Sequence, residues 1–487
     1  AEALRKAGIG VVEIAHYPGH PEILEGRVKT LHPRVHGGIL ADPAKESHRA
    51  DLIRNGIEPI ALVVVNLYPF AKVAARADAA LDEVIEMIDI GGPTMIRAAA
   101  KNFMHVGVLV DPSDYPGVLR EIEQGGMPTE ATRRRLAAKA FAHTAAYDGA
   151  IRDALPARLG LVETDGSPAG GESLPPRLRL DLERRQVLRY GENPHQRGAL
   201  YLEPQASAAS TAAARQVQGK ELSFNNLLDL DAAWRQVLEF EPPAAAIIKH
   251  SNPCGVAVGV SLEEAFAKAR ATDPASAFGG VVALNRTIDA RAAGALTSLF
   301  LECVIAPDCA ADALAILARK EGLRVLVAGG GAPPYSGLDL RRITGGLLAQ
   351  DWDRAGTDLS RARVATRRAP TAEELKALDF AWKVAKHAKS NAIILARADR
   401  TIGIGAGQMS RVDSVRLARM KAQEPTAGTV LASDAFFPFR DGLDEASLAG
   451  ITAVVQPGGS VKDAEVIAAA DQHGMAMILT GTRHFLH

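Results

Sequence analysis

Ile247-Ile248-Lys249-His250-Ser251-Asn252-Pro253-Cys254-Gly255 is the stretch on which the reading of this chain turns. The apolar run from Ala244 to Ile248 has the length and character of a buried strand, and it stops at two adjacent polar side chains. Pro253 and Gly255 are expected to forbid a regular continuation and to force a turn. That arrangement puts Lys249 and His250 at the C-terminal end of a strand, where open α/β sheets bind ligands. A cation beside an imidazole is a proton-transfer pair: one stabilises developing negative charge, the other accepts or donates a proton near neutral pH. An isolated Lys-His dipeptide is more often a solvated pair on a loop. The rest of the chain has to decide between the two.

At 487 residues the chain has room for about three domains of ~150 residues each. Hydrophobic residues at 47% and charged residues at 23% are ordinary for a globular protein with a sizeable core. A formal net charge of −1 gives no reason to expect nucleic acid or an acidic membrane as partner. No apolar run approaches the ~18 residues of a spanning helix, and Ala1 to Gly8 is a charged helical piece, unlike a secretory signal. Cys254, Cys303 and Cys309, without paired spacing, argue for a reducing compartment and thus a cytoplasmic α/β enzyme or binding protein.

Toward the N-terminus, helix and strand patterns alternate, as in a wound parallel sheet with covering helices. Val11 to Ile14, Ile60 to Val65 and Val106 to Val110 suit strands; Leu81 to Met87, Met95 to Ala100 and Glu130 to Leu155 suit helices. Three polar clusters interrupt the pattern. In Gly26 to Pro33, Arg27 and Lys29 share one face if the segment is extended. Asn66-Leu67-Tyr68-Pro69-Phe70 follows directly on a strand. Ile88 to Thr94 carries Gly91-Gly92-Pro93 into a helix start, whose free N–H groups can face an anion. Lys101 lies about 12 Å further along that helix and should touch a different part of any ligand. Singly, each cluster is weak, since a Gly-Gly-Pro helix start is more often just a turn.

Leu161 to Pro176 has the Gly, Ser and Pro content of a linker. Beyond it, Leu188 to Gln196 is polar and turn-rich; Arg189 and Tyr190 could bind a phosphate and flank a sugar, or belong to a charged turn. Strands fit Ala244–Ile248, Val256–Val260, Val281–Leu284, Leu301–Ile305 and Leu323–Val327, with helices over Leu262–Ala271 and Ala310–Lys320. Phe278 and Gly279 set an aromatic ring beside a permissive backbone. Glu302, inside an apolar strand, needs a partner, either a ligand or a protein donor.

A second unit starts near Thr371, with a helix over Ala372–Lys389, then Ser390-Asn391 and strand Ala392–Ala396. Thr401 to Gln408 is superficially like a dinucleotide loop, but Gln408 stands where the third glycine belongs, which excludes that motif. Strand Thr429–Ala432 delivers Asp434-Ala435-Phe436-Phe437-Pro438-Phe439. Such clusters are usually core, and are also what a flat heteroaromatic ring stacks on. The chain closes on Arg483-His484-Phe485-Leu486-His487 after strand Met475–Leu479; a charged, aromatic tail of this kind ordinarily frays.

Gly26 to Pro33, Asn66 to Phe70, Ile88 to Gly92 and Ala98 to Asn102 resemble, in order and spacing, the cyclohydrolase half of a bifunctional purine-biosynthesis enzyme family. That family joins 5-aminoimidazole-4-carboxamide ribonucleotide (AICAR) formyltransferase to inosine monophosphate (IMP) cyclohydrolase. Arg189 to His487 resembles its formyltransferase half through Arg-Tyr-Gly-x-Asn-Pro-His-Gln, Lys-His, Ser-x-Phe-Gly, Ser-Asn, Gly-Ile-Gly-Ala-Gly-Gln-x-Ser-Arg, Asp-Ala-Phe-Phe-Pro-Phe and the Arg-x-Phe-x-His end.

The resemblance implies an α/β fold: a methylglyoxal-synthase-like wound parallel sheet over 1–160, a linker over 161–177, and two cytidine-deaminase-like α/β/α domains over 178–350 and 351–487. It implies that Arg27, Lys29 and Thr30 hold the nucleotide, with Asn66 and Gly91 in contact. Tyr68 and Asp89 would surround the reacting groups, and Lys101 would transfer the proton; with Lys29 these form the cyclohydrolase set. In the second half it implies Lys249, His250, Asn391 and His487 as the formyl-transfer set. Arg189, Tyr190, Arg411 and Arg483 would bind AICAR. Phe278, Gly279, Glu302, Phe436, Pro438, Phe439 and Phe485 would complete the substrate contacts, with Glu302 and the Phe436–Phe439 segment bordering the folate. The co-substrate would be 10-formyltetrahydrofolate, with no transition metal, room for a monovalent cation, and active sites formed at a homodimer interface.

One departure stands out. The family opens with Ser/Thr/Gly phosphate loops, and this chain starts just after them, so the cyclohydrolase site is expected to be incomplete and ring closure poor. Formyl transfer alone is therefore one alternative, and a non-catalytic nucleotide-binding protein is another. A zinc deaminase would need His-x-Glu with Pro-Cys-x-x-Cys. His20-Pro21-Glu22 and Pro253-Cys254 are present, but Ala257 replaces the second cysteine.

Overall fold

In a computed structural model, the chain divides into two compact units, Ala1–Gly166 and Ser167–His487. The structure describes residues 5, 6, 8, 10, 11, 17, 19, 23–161, 174, 178–204, 206–330, 335 and 337–487. Most of the expected strand at Val11 to Ile14, the His20-Pro21-Glu22 motif and most of the linker lie outside them.

In the first unit Leu62–Val64 (β1) pairs in parallel with Gly107–Leu109 (β2), both shorter than their apolar runs. Gly91–Lys101 (α1) and Glu130–Arg158 (α2) pack against this pair. The long helix is alanine-rich, as helix propensity favours. It is capped by the Thr129 side chain on the Thr132 amide, and buries Leu136, Ala137, Ala140 and Thr144 along one stripe. The core gathers Val35, Ile39, Val63, Ile96, Ala99, Val108 and Leu136.

The second unit opens on a hairpin, Glu183–Leu188 (β3) with Gly198–Leu202 (β4). A six-stranded sheet follows: Arg215–Gln218 (β5), Ala244–Lys249 (β6), Asn252–Val258 (β7), Gly280–Leu284 (β8), Leu301–Ala306 (β9) and Arg324–Val327 (β10), in the spatial order β5-β10-β9-β8-β6-β7. A second hairpin, Asp339–Ile343 (β11) with Gly346–Gln350 (β12), leads to another sheet. Its strands are Arg363–Val364 (β13), Ile393–Ala396 (β14), Thr401–Gly405 (β15), Val430–Ser433 (β16), Ala453–Gln456 (β17) and Ala476–Leu479 (β18), ordered β13-β18-β17-β16-β14-β15.

The two sheets have one topology. In each, a parallel trio is flanked by antiparallel neighbours. Helices Phe224–Val237 (α3) and Ala372–Ala385 (α7) occupy matching places, each opened by a capping box, Ser223 with Asn226 and Thr371 with Glu374. Asp231-Ala232-Ala233-Trp234 in the first matches Asp379-Phe380-Ala381-Trp382 in the second. The chain has thus built one α/β layer twice.

Both matching helices face a shared core in which the Phe240 and Phe380 rings lie 5.2 Å apart. The outer faces carry Leu262–Thr272 (α4), Ala290–Thr297 (α5) and Ala311–Leu317 (α6) on the first sheet. Arg411–Lys421 (α8), Asp441–Leu448 (α9) and Asp463–Gln472 (α10) cover the second. Coverage on both faces explains why strands such as Ala244–Ile248 are apolar at every position.

The edge strands β7 and β15 meet side by side. Thr401 Oγ1 bridges to the Val256 amide at 3.0 Å, and the Val258 amide donates to Asp399 O at 2.8 Å. Two expectations are corrected here. Pro253 and Gly255 do not make the turn but lie within β7, an edge strand of its own sheet, where proline is tolerated. The turn is His250–Ser251 itself. The glycine alternation of Thr401 to Gly405, already excluded as a dinucleotide loop, is a strand: a Cβ at Gly403 would overlap the Ala418 carbonyl of α8, and one at Gly405 that of Ser414. The C-terminal tail is docked, not frayed: the Ser390 amide donates to Leu486 O at 2.9 Å, and His484 is buried with Nδ1 2.6 Å from Asp353.

Candidate active site

Strand β6 runs out at Lys249, and β7 begins at Asn252, leaving a two-residue hairpin. His250 and Ser251 have φ of 55° and 59°, the left-handed values that a two-residue turn with right-handed strand twist demands. Neither is the glycine or asparagine usual there, so each costs about 1–2 kcal/mol in backbone strain. An outside group holds them: the Asp229 carboxylate on α3 accepts the His250 amide at 3.2 Å and the Ser251 amide at 2.7 Å. Lys249 Nζ donates to the Phe278 carbonyl at 2.9 Å, while the His250 side chain is exposed.

Lys249 and His250 form one wall of a cavity of about 310 Å³ along the β7–β15 seam, with Asn252, Asp273, Gln408 and Lys421 among its other walls. Lys421 pairs with Asp273 at 3.2 Å and so ties the two repeats across it. Cys254 also lines it, but burial pushes its thiol up to about 12, which leaves it protonated and a poor nucleophile. The Asn252 side-chain oxygen accepts the Lys389 amide at 3.0 Å, next to the cis Ser390–Asn391 peptide.

Asn391 is held on every side. Its Nδ2 donates to Gln408 O at 2.8 Å and Met409 O at 3.2 Å, and its Oδ1 accepts from Arg411 at 2.6 Å. Arg411 is buried and also donates to Ser433 Oγ at 2.7 Å and to the fully buried Asp434 carboxylate. Asp434 further accepts the Ala392 amide at 3.1 Å and the Ser390 hydroxyl. Arg411 therefore faces its own strand ends, where a substrate contact had been expected. His487 follows the docked Leu486, with its ring 5.4 Å from Phe485 and its carbonyl accepting from Arg341; Arg483 lies 4.2 Å over the Phe485 ring.

A second cavity, of about 640 Å³, gathers Arg189, Tyr190, Lys220, Ser223, Glu302 and Arg324. Arg189 sits 5.6 Å over the Tyr190 ring. Glu302 has a protein donor, Arg324 at 2.9 Å, and also lines this cavity. Lys220 was missed; the signal was a Gly219-Lys220 turn just before a capped helix start. Phe278 is exposed against Phe300 at 5.2 Å, with Gly279 at φ 71° beside it. The phenylalanine cluster divides: Phe437 is core, Phe436 is half-buried, and Pro438 and Phe439 are exposed, with Lys462 4.5 Å over the Phe439 ring.

In the first unit, Thr30, Asp89 and Gly91 come together at the start of α1. A side chain at Gly91 would overlap the Thr30 hydroxyl, and the Asp89 carboxylate accepts the Gly92 amide at 2.7 Å. Arg27 is exposed in an ion pair with Glu86, and Lys29 is exposed. Asn66 donates to the Tyr115 hydroxyl at 3.2 Å, and Tyr68 is half-exposed. Lys101 closes the far end of α1, roughly 15 Å away by helix rise. There it lines a cavity of about 650 Å³ with Arg97, Arg134, Phe103 and Phe141. The expected cyclohydrolase residues thus fall at two ends of one helix.

A family model described as "AICARFT/IMPCHase bienzyme" matches residues 99–421, and one described as "MGS-like domain" matches residues 1–94. A relative in Myxococcus xanthus (strain DK1622), "Bifunctional purine biosynthesis protein PurH", is 56% identical over 493 residues, spanning 100% of this chain and 93% of its own. The protein of the same name in Sorangium cellulosum (strain So ce56) is 55% identical over 491 residues, with the same coverage of 100% and 93%. A solved structure described as "Crystal structure of ForH" is 42% identical and covers 32% of this chain and 80% of its own, with a TM-score of 0.28.

Proposed function

The chain belongs to the AICARFT/IMPCHase bienzyme family, and on that premise we propose that it catalyses two consecutive steps of purine biosynthesis. The second unit transfers the formyl group of 10-formyltetrahydrofolate to the 5-amino group of AICAR. The first unit then closes formyl-AICAR to IMP with loss of water.

The AICAR amine is a weak nucleophile, because its lone pair is delocalised toward the carboxamide. It forms the new C–N bond only as it loses a proton, and His250 accepts that proton. Lys249 exchanges the Phe278 carbonyl for the oxyanion of the tetrahedral intermediate. Collapse breaks the bond to the folate nitrogen, which takes a proton as it leaves. Asn391, held by Arg411, offers a neutral hydrogen-bonding group, and His487 is assigned a place beside the Lys249–His250 pair. Arg189, Tyr190 and Lys220 hold the nucleotide phosphate and ribose, while Phe278, Phe436 and Phe439 offer faces to the pterin. For ring closure, Arg27, Lys29, Thr30 and Gly91 hold the nucleotide with Tyr68 and Asp89 beside the reacting groups, and Lys101, on the far end of α1, is assigned the proton transfer.

The transfer itself calls for no transition metal. Each α/β/α repeat is read as cytidine-deaminase-like, on the strength of its antiparallel β6 or β14 beside a parallel trio. No described helix is long and apolar enough to cross a membrane. A cytoplasmic homodimer, with room for a monovalent cation, completes the reading.

The observation that carries the proposal is the Lys249–His250 hairpin held at the wall of the inter-repeat cavity. His250→Ala should cut formyl transfer by about 10²–10⁴-fold and leave AICAR affinity, read by calorimetry, within a few-fold. Transfer at the wild-type rate would remove His250 from the mechanism.

A further inference from the structure

We propose that Asp229 is a positioning residue for formyl transfer: its carboxylate sets the left-handed turn that presents His250 to the cavity. The inference rests on His250 acting as the base. A two-residue hairpin keeps both central residues at positive φ only when the residues themselves favour it or something else imposes it. Histidine and serine do not favour it. The imposing group is Asp229, with one carboxylate oxygen on each turn amide, at 3.2 Å and 2.7 Å.

Its platform is firm. α3 is fixed at its start by the Ser223–Asn226 capping box, and further along by buried Trp234, whose Nε1 donates to Ala209 O at 2.7 Å. A carboxylate on such a helix defines where the turn amides lie, and so the direction in which the His250 side chain leaves the backbone.

The second repeat serves as an internal control. Aligning Asp231 to Trp234 with Asp379 to Trp382 puts Ala377 at the place of Asp229. Strands β14 and β15 there join through a longer loop, Arg397 to Arg400, with no residue at positive φ. This α/β layer folds around an alanine at that position. The carboxylate is thus a feature of the repeat that carries Lys249 and His250, and not a requirement of the fold.

The test uses the full chain with separate kinetics for each variant. Asp229→Asn keeps the side-chain size but turns an NH₂ group toward one of the two amides. Its kcat for formyl transfer should fall about 10- to 100-fold, the range expected of a small misplacement, with KM for AICAR within about threefold and the melting curve still cooperative. Adding Ser251→Gly to Asp229→Asn should recover much of the lost kcat relative to Ser251→Gly alone, because glycine takes φ near 59° without strain. If Asp229→Asn melts below the assay temperature, Asp229→Ala, the residue of the second repeat, is read in the same way. His250→Ala is run in parallel. An inactive His250→Ala with a fully active Asp229→Asn overturns this inference alone, as does a loss that Ser251→Gly leaves unrepaired. An active His250→Ala overturns the reading beneath it.

Discussion

Arg411 donates a hydrogen bond to Oδ1 of Asn391 at 2.6 Å while the same guanidinium faces the buried Asp434 carboxylate. One planar fork spans three partners, which a lysine ammonium cannot do. Arg411→Ala would leave Asp434 buried and unpaired, a loss of about 3–5 kcal/mol. Arg411→Lys should be milder in stability but should still lower kcat by freeing Asn391. A stable Arg411→Lys with a raised KM for AICAR and an unchanged kcat would instead make Arg411 a substrate ligand.

Lys220 lines the same cavity as Arg189 and Tyr190, on the turn before α3. If that cavity takes the nucleotide phosphate, Lys220→Ala removes one charge-assisted contact of about 1.5–3 kcal/mol. The expected outcome is a KM for AICAR raised roughly 10- to 100-fold with kcat nearly kept. Steady-state kinetics with AICAR varied at saturating folate decide the point, and an unchanged KM would move the phosphate elsewhere.

The strands buried on both faces were legible because no polar position interrupts them: Ala244 to Ile248 and Val281 to Leu284 match β6 and β8 nearly residue for residue. What stayed hidden depended on distant partners. The His250–Ser251 turn contains neither the glycine nor the asparagine that positive φ favours; Asp229, on another element, holds it. The glycines of β15 look like loop punctuation, yet they are there because α8 crosses close above. The arginine of Gln408-Met409-Ser410-Arg411 has the look of an anion ligand, and its buried pairing with Asp434 could not be read from the segment itself. Lys101 stood in the right helix, but its distance from Asp89 was legible from helix rise alone.

Lys101 belongs to the first unit and His250 to the second. Lys101→Ala should therefore reduce conversion of formyl-AICAR to IMP by about 10²-fold or more, as loss of a proton-transfer group does, and leave formyl transfer untouched. The two half-reactions are assayed separately, one by tetrahydrofolate release and the other by IMP absorbance. Loss of both activities together would sink the assignment of Lys101 to ring closure.

Glu239 offers a test of how the repeats are held together. It follows α3, and its carboxylate meets His387 Nε2 and Lys386 Nζ, each at 2.9 Å, just past α7. Burial disfavours its charged form, but the hydrogen bonds and charge of His387 and Lys386 outweigh burial and hold its pKa at about 2, against 4.5 for a free glutamate. Burial pushes the pKa of His387 down, against the opposing pull of the Glu239 carboxylate. A carboxyl depressed in the folded state stabilises fully above its unfolded value, and that stabilisation is lost as pH falls toward the folded value. The window is therefore pH 4.5 down to about 2, and the size is on the order of 3 kcal/mol. Glu239→Gln should be less stable than the parent at pH 7, with the gap constant down to about pH 5 and narrowing below it. Urea melts at matched pH values measure the gap. One that stays constant through acid would mean that the Glu239 charge contributes nothing to joining the two layers.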